Sequence, residues 1–347
     1  MQNEKKYFAS ANTEKGFVSY FDEIYGCLER VYIIKGGPGT GKSHFMRNIA
    51  DEAEGNGYSV EYFYCSSDPL SLDGIIIEEL GVAVIDGTSP HTYDPKVPGI
   101  REVIINLGNH WDSKKLEKNK DEICRLVNEK SMLYNNVYNY LSAAGRVESE
   151  IRIFNRRAVK FEKMQAAVNR LSKGWKQGDG YKKKIRLVEG ISHAGHIVYN
   201  TYHDLAENKY VIKDRYGVGT LFIDMIIKCA ENKRLKIVYS PSYIDASSVM
   251  GVYLPEISHS FVICEDNSID KKQINMDRFV DAEIIKSNKQ KNRFARRCLN
   301  SLYEGVQKGF DDIFDIHSKI EGYYINAMDF SKNIALAGKI KEEIFKI

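Results

Sequence analysis

VYIIKGGPGTGKSHFMRNIADEAEGNG, Val31 to Gly57, decides the reading of this chain. Val31 to Lys35 is a short run of apolar, β-branched and aromatic residues, which predicts a buried strand. Gly36 to Ser43, GGPGTGKS, satisfies G-x-x-x-x-G-K-[ST]. The next segment places Phe45, Met46, Ile49 and Ala53 on one helical face before Gly55 and Gly57 end it. Strand, glycine turn and helix start therefore arrive in the order that a phosphate-binding loop requires.

The chemistry follows from the residue types. Glycines let backbone N–H groups from about Gly39 to Ser43 converge on phosphate oxygens, and the helix start adds the positive end of its dipole. The expected ligand is ATP with Mg2+. Gly36, Gly37, Pro38, Gly39, Thr40, Gly41, Lys42, Ser43 and His44 would form its cradle. Lys42 would neutralise charge between the β and γ phosphates, and the Ser43 hydroxyl would join the shell of the metal.

A magnesium site also needs a carboxylate at the end of a neighbouring strand. Val82 to Ile85 followed by Asp86, VAVID, has that form, so Asp86 is the expected metal and catalytic carboxylate beside Lys42. Tyr62 to Cys65 runs into Ser66, Ser67 and Asp68. Asp68 either positions a substrate or water or, before Pro69, makes a plain turn or helix cap. No NKxD triplet or LSGGQ-like signature occurs, which argues against a small GTPase and a transporter ATPase. Gly87 follows Asp86 where many fast ATPases carry a catalytic Glu. A slow hydrolase, a kinase and a nucleotide-dependent switch all remain.

The chain also repeats itself, with an offset of about 178 residues. YIIK (Tyr32 to Lys35) aligns with YVIK (Tyr210 to Lys213), Gly74 and Glu79 with Gly251 and Glu256, and VAVID with FVIC near Phe261 to Cys264. The glycine loop itself is lost: GGPGTGKS becomes DRYGVGTL, Asp214 to Leu221, so Thr220 stands for Lys42 and Leu221 for Ser43. Each half continues into helical periodicity, Lys114 to Leu171 and Arg293 to Phe345. The expected fold is α/β: two P-loop NTPase-like units of mostly parallel sheet flanked by helices, with long helical appendages. Residues 1–175 would carry the intact loop and 182–347 the degenerate one.

Composition bounds the remaining possibilities. With 43% hydrophobic and 28% charged residues over 347 positions, a disordered or fibrous chain is excluded. No apolar run approaches the roughly 18 residues that cross a bilayer, and MQNEKKYFAS lacks a signal-peptide core, so a cytoplasmic protein without a membrane partner is expected. The six cysteines form no CxxC pair and the eight histidines no HExxH, which argues against a disulfide framework or structural zinc. The net charge of +3 is uneven. Between Arg152 and Arg186 there are twelve Lys and Arg against two acids, a net of +10, leaving −7 for the rest.

At CSSDPLSLDGIIIEELGVAVIDGTSPHTYDPKVPG, Cys65 to Gly99, and at IINLGNHWD, Ile104 to Asp112, the chain resembles an uncharacterised bacterial family of tandem P-loop proteins, described as ATPases or nucleotide-kinase-like. The resemblance spans essentially the whole chain. It implies ATP binding at Gly36 to Ser43, with Asp68, Asp73, Asp86, His91 and Asp94 in motif-rich loops, and a loop in the second half from which DRYGVGTL departs. That departure argues against any mechanism with two ATP sites. His91 and Asp94 follow the VAVID strand at the edge where α/β sheets bind ligands, so they either meet a second substrate or are merely exposed. Arg101 reads as a cis arginine finger or as a surface ion pair. The expected function is a Mg-dependent ATPase or small-molecule kinase with an unidentified acceptor. The alternative is a nucleotide-dependent switch or scaffold with negligible turnover, associating with nucleic acid or an acidic partner through residues 152–186.

Overall fold

The computed structural model describes residues 4–264 and 270–346. The first half runs β1 (Lys5–Phe8), β2 (Ser10–Thr13), β3 (Gly16–Ser19), α1 (Phe21–Tyr25), β4 (Arg30–Lys35), α2 (Lys42–Gly55), β5 (Val60–Tyr64), β6 (Leu72–Ile77), β7 (Val82–Asp86), β8 (Glu102–Asn106), α3 (Ser113–Glu117), α4 (Lys120–Arg156) and α5 (Phe161–Ser172). The second half repeats the series: β9 (Lys182–Ile185), β10 (Glu189–Ser192), β11 (Gly195–Val198), α6 (Thr201–Asp204), β12 (Asn208–Lys213), α7 (Gly219–Asn232), β13 (Lys236–Pro241), β14 (Val249–Leu254), β15 (His259–Ile263), β16 (Lys272–Asn275), α8 (Ala282–Ser287), α9 (Lys289–Ala327) and α10 (Phe330–Ile344).

Each half builds a six-stranded, mostly parallel sheet flanked by helices. The orders are β1-β5-β6-β7-β4-β8 and β9-β13-β14-β15-β12-β16, which match strand for strand. Only β6 and β14 run against their neighbours. Val31 to Ile34 are all buried, as expected for a central parallel strand covered on both faces. β7 and β8 flank β4 in parallel, with Ile34 opposite Asp86 and Lys35 opposite Asn106. The chain leaves β4 towards β5 on one side and later reaches β8 on the other, so the end of β4 is a switch point of the sheet, where α/β folds bind ligands.

The halves interlock. α4 packs along α9, with Val137, Leu141 and Ala144 of one against Val306, Phe310 and Ile313 of the other. Asn155 and Asn292 exchange side-chain hydrogen bonds of 2.9 and 3.0 Å across the same seam. The terminal helices are exchanged: α5 packs on α7 of the second half, and α10 on α2 of the first. Two equivalent bridges secure the exchange, Trp111 with Met328 and Val280 with Val159. Nearby, Asp329 N donates to His110 O at 2.9 Å, and Lys160 N to Phe279 O at 2.7 Å.

The basic run of 152–186 is divided among the end of α4, α5, a connection and β9. Arg152 pairs with Asp245, Lys160 with Asp281, Lys183 with Glu231 and the buried Arg186 with Glu61. Lys182 to Lys184 are exposed along β9, an edge strand, where lysines discourage pairing with another sheet. Among the described residues, no helix is long and apolar enough to cross a membrane.

Candidate functional site

The glycine loop leaves the end of β4. Gly39 and Gly41 stand at φ of +66° and +83°, in the left-handed region that side chains resist, and the turn delivers the chain into α2 at Lys42. Gly41 offers that helix no side-chain cap. The amides of Lys42, Ser43 and the exposed His44 lie in the first turn, where a helix has no carbonyls of its own to bind them and favours an anion. Lys42 Nζ donates to Gly37 O at 2.7 Å and Gly36 O at 3.2 Å, and lies 3.5 Å from Asp86 Oδ2. The other oxygen of Asp86 accepts the Thr88 amide at 2.8 Å and its hydroxyl at 2.5 Å. Ser43 Oγ accepts the Leu72 amide at 3.0 Å. A Cβ at Gly87 would collide with Ile33, so the packing of β4 against β7 leaves no room for a Glu directly after Asp86.

The second half covers this loop. Glu321 of α9 accepts the Gly39 amide at 3.1 Å, and Thr40 Oγ1 ties the turn by donating to Gly37 O at 2.8 Å. The Tyr324 ring lies where a side chain at Gly37 would project. From α10, Asn333 donates to Thr40 O at 2.8 Å while its oxygen lies 2.7 Å from His110 Nδ1. His317 Nε2 is 3.6 Å from Glu321, and its Nδ1 is 3.3 Å from Lys130 Nζ on α4. Burial pushes the Glu321 carboxyl up. Burial, with Lys130 beside it, pushes His317 down to about 4.

The other expected residues divide. Asp68 accepts the Leu70 amide at 3.2 Å, making a turn, and lies 3.7 Å from His193 Nε2 of the second half. Asp94 is largely exposed and pairs with Lys35 at 3.3 Å, close to the end of β4. Arg101 is at the wrong end of the sheet for an arginine finger. Its carbonyl accepts the amide of Val31, at the start of β4, and a strand rising about 3.3 Å per residue separates that point from the glycine loop by roughly 15 Å. Its guanidinium is engaged by Glu102, Gly26 O and Tyr93.

His91 is not an exposed loop residue. It is buried, stacked on Phe21 at 5.5 Å between ring centroids and met edge-on by Phe17 at 4.9 Å. Its Nε2 lies 3.3 Å from Asp73 Oδ2 and 4.0 Å from Cys65 Sγ. Asp73 directly precedes Gly74, which pairs with Ile85 in the β6–β7 ladder just before Asp86. Burial pushes its carboxyl up to about 6, with the Asp86 charge adding and His91 opposing. The absence of clustered spacing among Cys and His in the sequence therefore does not hold in space.

The degenerate loop follows a different course. Asp214 turns its own carboxylate into the loop and accepts the amides of Tyr216 at 3.2 Å, Val218 at 3.0 Å and Gly219 at 2.6 Å. The turn after β12 thus encloses an anion of its own. Asp214→Ala is expected to lower stability by about 1–3 kcal/mol for each amide left buried and unpaired. A urea melt with an unchanged midpoint would contradict that role.

No protein-family model, curated protein or solved structure matches the chain. The site therefore rests on its own geometry. Lys42 of the glycine loop and Asp86 lie 3.5 Å apart, whereas Glu321, Tyr324, His317 and Lys130 carry no local signal in the sequence.

Proposed function

We propose that the chain binds one Mg-ATP at Gly36 to His44 and acts as a slow ATPase or small-molecule kinase. The observation that carries the reading is the meeting of Lys42 with Asp86, 3.5 Å apart at the end of β4, directly before an uncapped helix start. The residues suit the ligand. The left-handed glycines and first-turn amides match phosphate oxygens, Lys42 supplies a cation for the outer phosphates, and Ser43 and Asp86 supply hard oxygen ligands for Mg2+. Bound Mg2+ would neutralise charge on the β and γ phosphates. Both repeats are read as P-loop units, and only the first keeps the nucleotide chemistry.

One observation favours the switch reading as well. Glu321 belongs to the second half and occupies Gly39 N–H, so an entering phosphate must displace it. Nucleotide would then loosen α9, and with it the α4–α9 seam. Calorimetric titration of Mg-ATP tests both. One site per chain is expected, because Asp214 closes the second loop, and Glu321→Ala should tighten binding by up to about tenfold, the value of about 1.4 kcal/mol. No binding heat at millimolar ATP would remove the nucleotide reading, and two equal sites would contradict the role of Asp214. Turnover of several per second by the isolated protein would favour the enzyme over the switch.

A further inference from the structure

We infer that Cys65, Asp73 and His91 form a zinc site with three protein ligands and a fourth position for water or a substrate group. The trio converges from three elements: Cys65 directly after β5, Asp73 within β6, and His91 in the connection after β7. One ligand atom from each lies within 4.8 Å of the others. Tetrahedral bonds of about 2.0–2.3 Å place ligand atoms about 3.3–3.8 Å apart. The His91–Asp73 separation of 3.3 Å and the His91–Cys65 separation of 4.0 Å already fall in or near that range. One sulfur, one imidazole nitrogen and one carboxylate oxygen suit zinc, whereas Mg2+ and Ca2+ prefer oxygen throughout.

Two further observations point to a ligand. Asp73 is 3% exposed, yet its Oδ2, 3.3 Å from His91 Nε2, accepts no hydrogen bond. A buried carboxylate left in that state is costly unless a proton or a cation occupies it. The second repeat serves as an internal control. β5 pairs Phe63 with Gly74, and β13 pairs Ser240 with Gly251, so Cys65 corresponds to Ser242 and Asp73 to Met250. The same fold thus closes with a serine and a thioether at these positions, so Cys65 and Asp73 are not packing requirements. A Cys-His-Asp nucleophile arrangement would use opposite nitrogens of the imidazole. Here Asp73 and Cys65 both approach Nε2, as ligands of one ion would. On binding, the Cys65 thiol, and the Asp73 carboxyl where protonated, release their protons to solvent as the metal bonds form.

The site lies beside the nucleotide loop but does not depend on it, and the test keeps the two apart. Protein stripped with a chelator is titrated with Co2+ as a probe, and separately equilibrated with Zn2+, dialysed and assayed for metal. One equivalent of zinc per chain is expected, with thiolate-to-cobalt absorption. Cys65→Ser should abolish the band and His91→Ala the zinc, while Lys42→Ala should retain both. A folded Cys65→Ser protein that keeps its zinc, or wild-type protein that gives no cobalt–thiolate band, would overturn the site. Should the variants fail to fold, alkylation of the six cysteines of the wild-type protein decides. Zinc should protect Cys65, and unchanged labelling of Cys65 would overturn the assignment. Wild-type protein that takes up zinc but binds no ATP would leave the metal site standing alone; ATP binding without zinc uptake would reject the metal site while sparing the nucleotide site.

Discussion

Replacing Arg186 with alanine is expected to remove about 3–5 kcal/mol of stability, the usual cost of leaving one member of a buried ion pair alone. Arg186 follows β9 and reaches into the first half. Its Nε and Nη2 donate to Glu61 Oε2 at 2.9 and 2.7 Å. Both side chains are less than a tenth exposed, so water cannot take over from the lost guanidinium. Its charge also sits 5.3 Å from the centroid of the Phe63 ring, and its carbonyl accepts the Tyr202 hydroxyl at 2.6 Å. The loss should appear in urea denaturation and change little with salt, because a buried pair is weakly screened. Exchanging both partners at once, Glu61→Leu with Arg186→Met, should recover much of it, since similarly shaped apolar pairs are often neutral or better. A loss below about 1 kcal/mol for Arg186→Ala would show a solvated pair of the surface kind.

Lys42→Ala is expected to weaken Mg-ATP binding by roughly 10- to 100-fold, because a hydrogen bond to a charged group contributes about 1.5–3 kcal/mol. In the structure the ammonium is held by the carbonyls of Gly36 and Gly37 and by Asp86, poised at the loop with no other basic side chain from the loop itself. A triphosphate would draw it outward and free Asp86 Oδ2 for the metal. The effect should therefore fall on the outer phosphates: ATP and ADP should lose affinity while AMP is nearly unaffected. Thermal melting should stay close to wild type, since Thr88 still holds the Asp86 carboxylate. Equal ATP affinity in calorimetry of the wild-type and variant proteins would sink the proposed role.

The legible parts of this molecule are the locally written ones. Val31 to Gly57 carries strand, turn and helix in one stretch, and the same order recurs with YVIK at Tyr210, so the repeat and the glycine loop could be read before any coordinates. The closure of the loop could not. The contact of Gly39 with Glu321 spans 282 positions, and Glu321 is one acid among many on a helix whose periodicity only says that it packs. Cys65, Asp73 and His91 have no metal-binding spacing. Strand register brings them together, through the pairing of β5 with β6 and of β6 with β7. The basic segment shows the converse: neighbours in sequence are sent to different elements, and Arg152, Lys160, Lys183 and Arg186 pair with acids elsewhere in the chain. Arg101 is close in sequence to the motif loops, but it precedes β8 at the end of that strand remote from the site, since β8 runs parallel to β4 and reaches the site only at Asn106.

The exchanged terminal helices have a consequence for how the protein comes into being. The glycine loop leaves the ribosome well before Glu321, Tyr324 and Asn333, which lie on it, with 282 positions between Gly39 and Glu321. Through that interval the loop has no cover, and contacts of such long sequence separation are slow to form because their loop-closure entropy comes first. The site is thus completed only after nearly all of the described chain has been made. A nucleotide that binds the loop would meet it during that interval before Glu321 does, so the order of ligand and lid is first decided during synthesis, ahead of the competition in the finished fold.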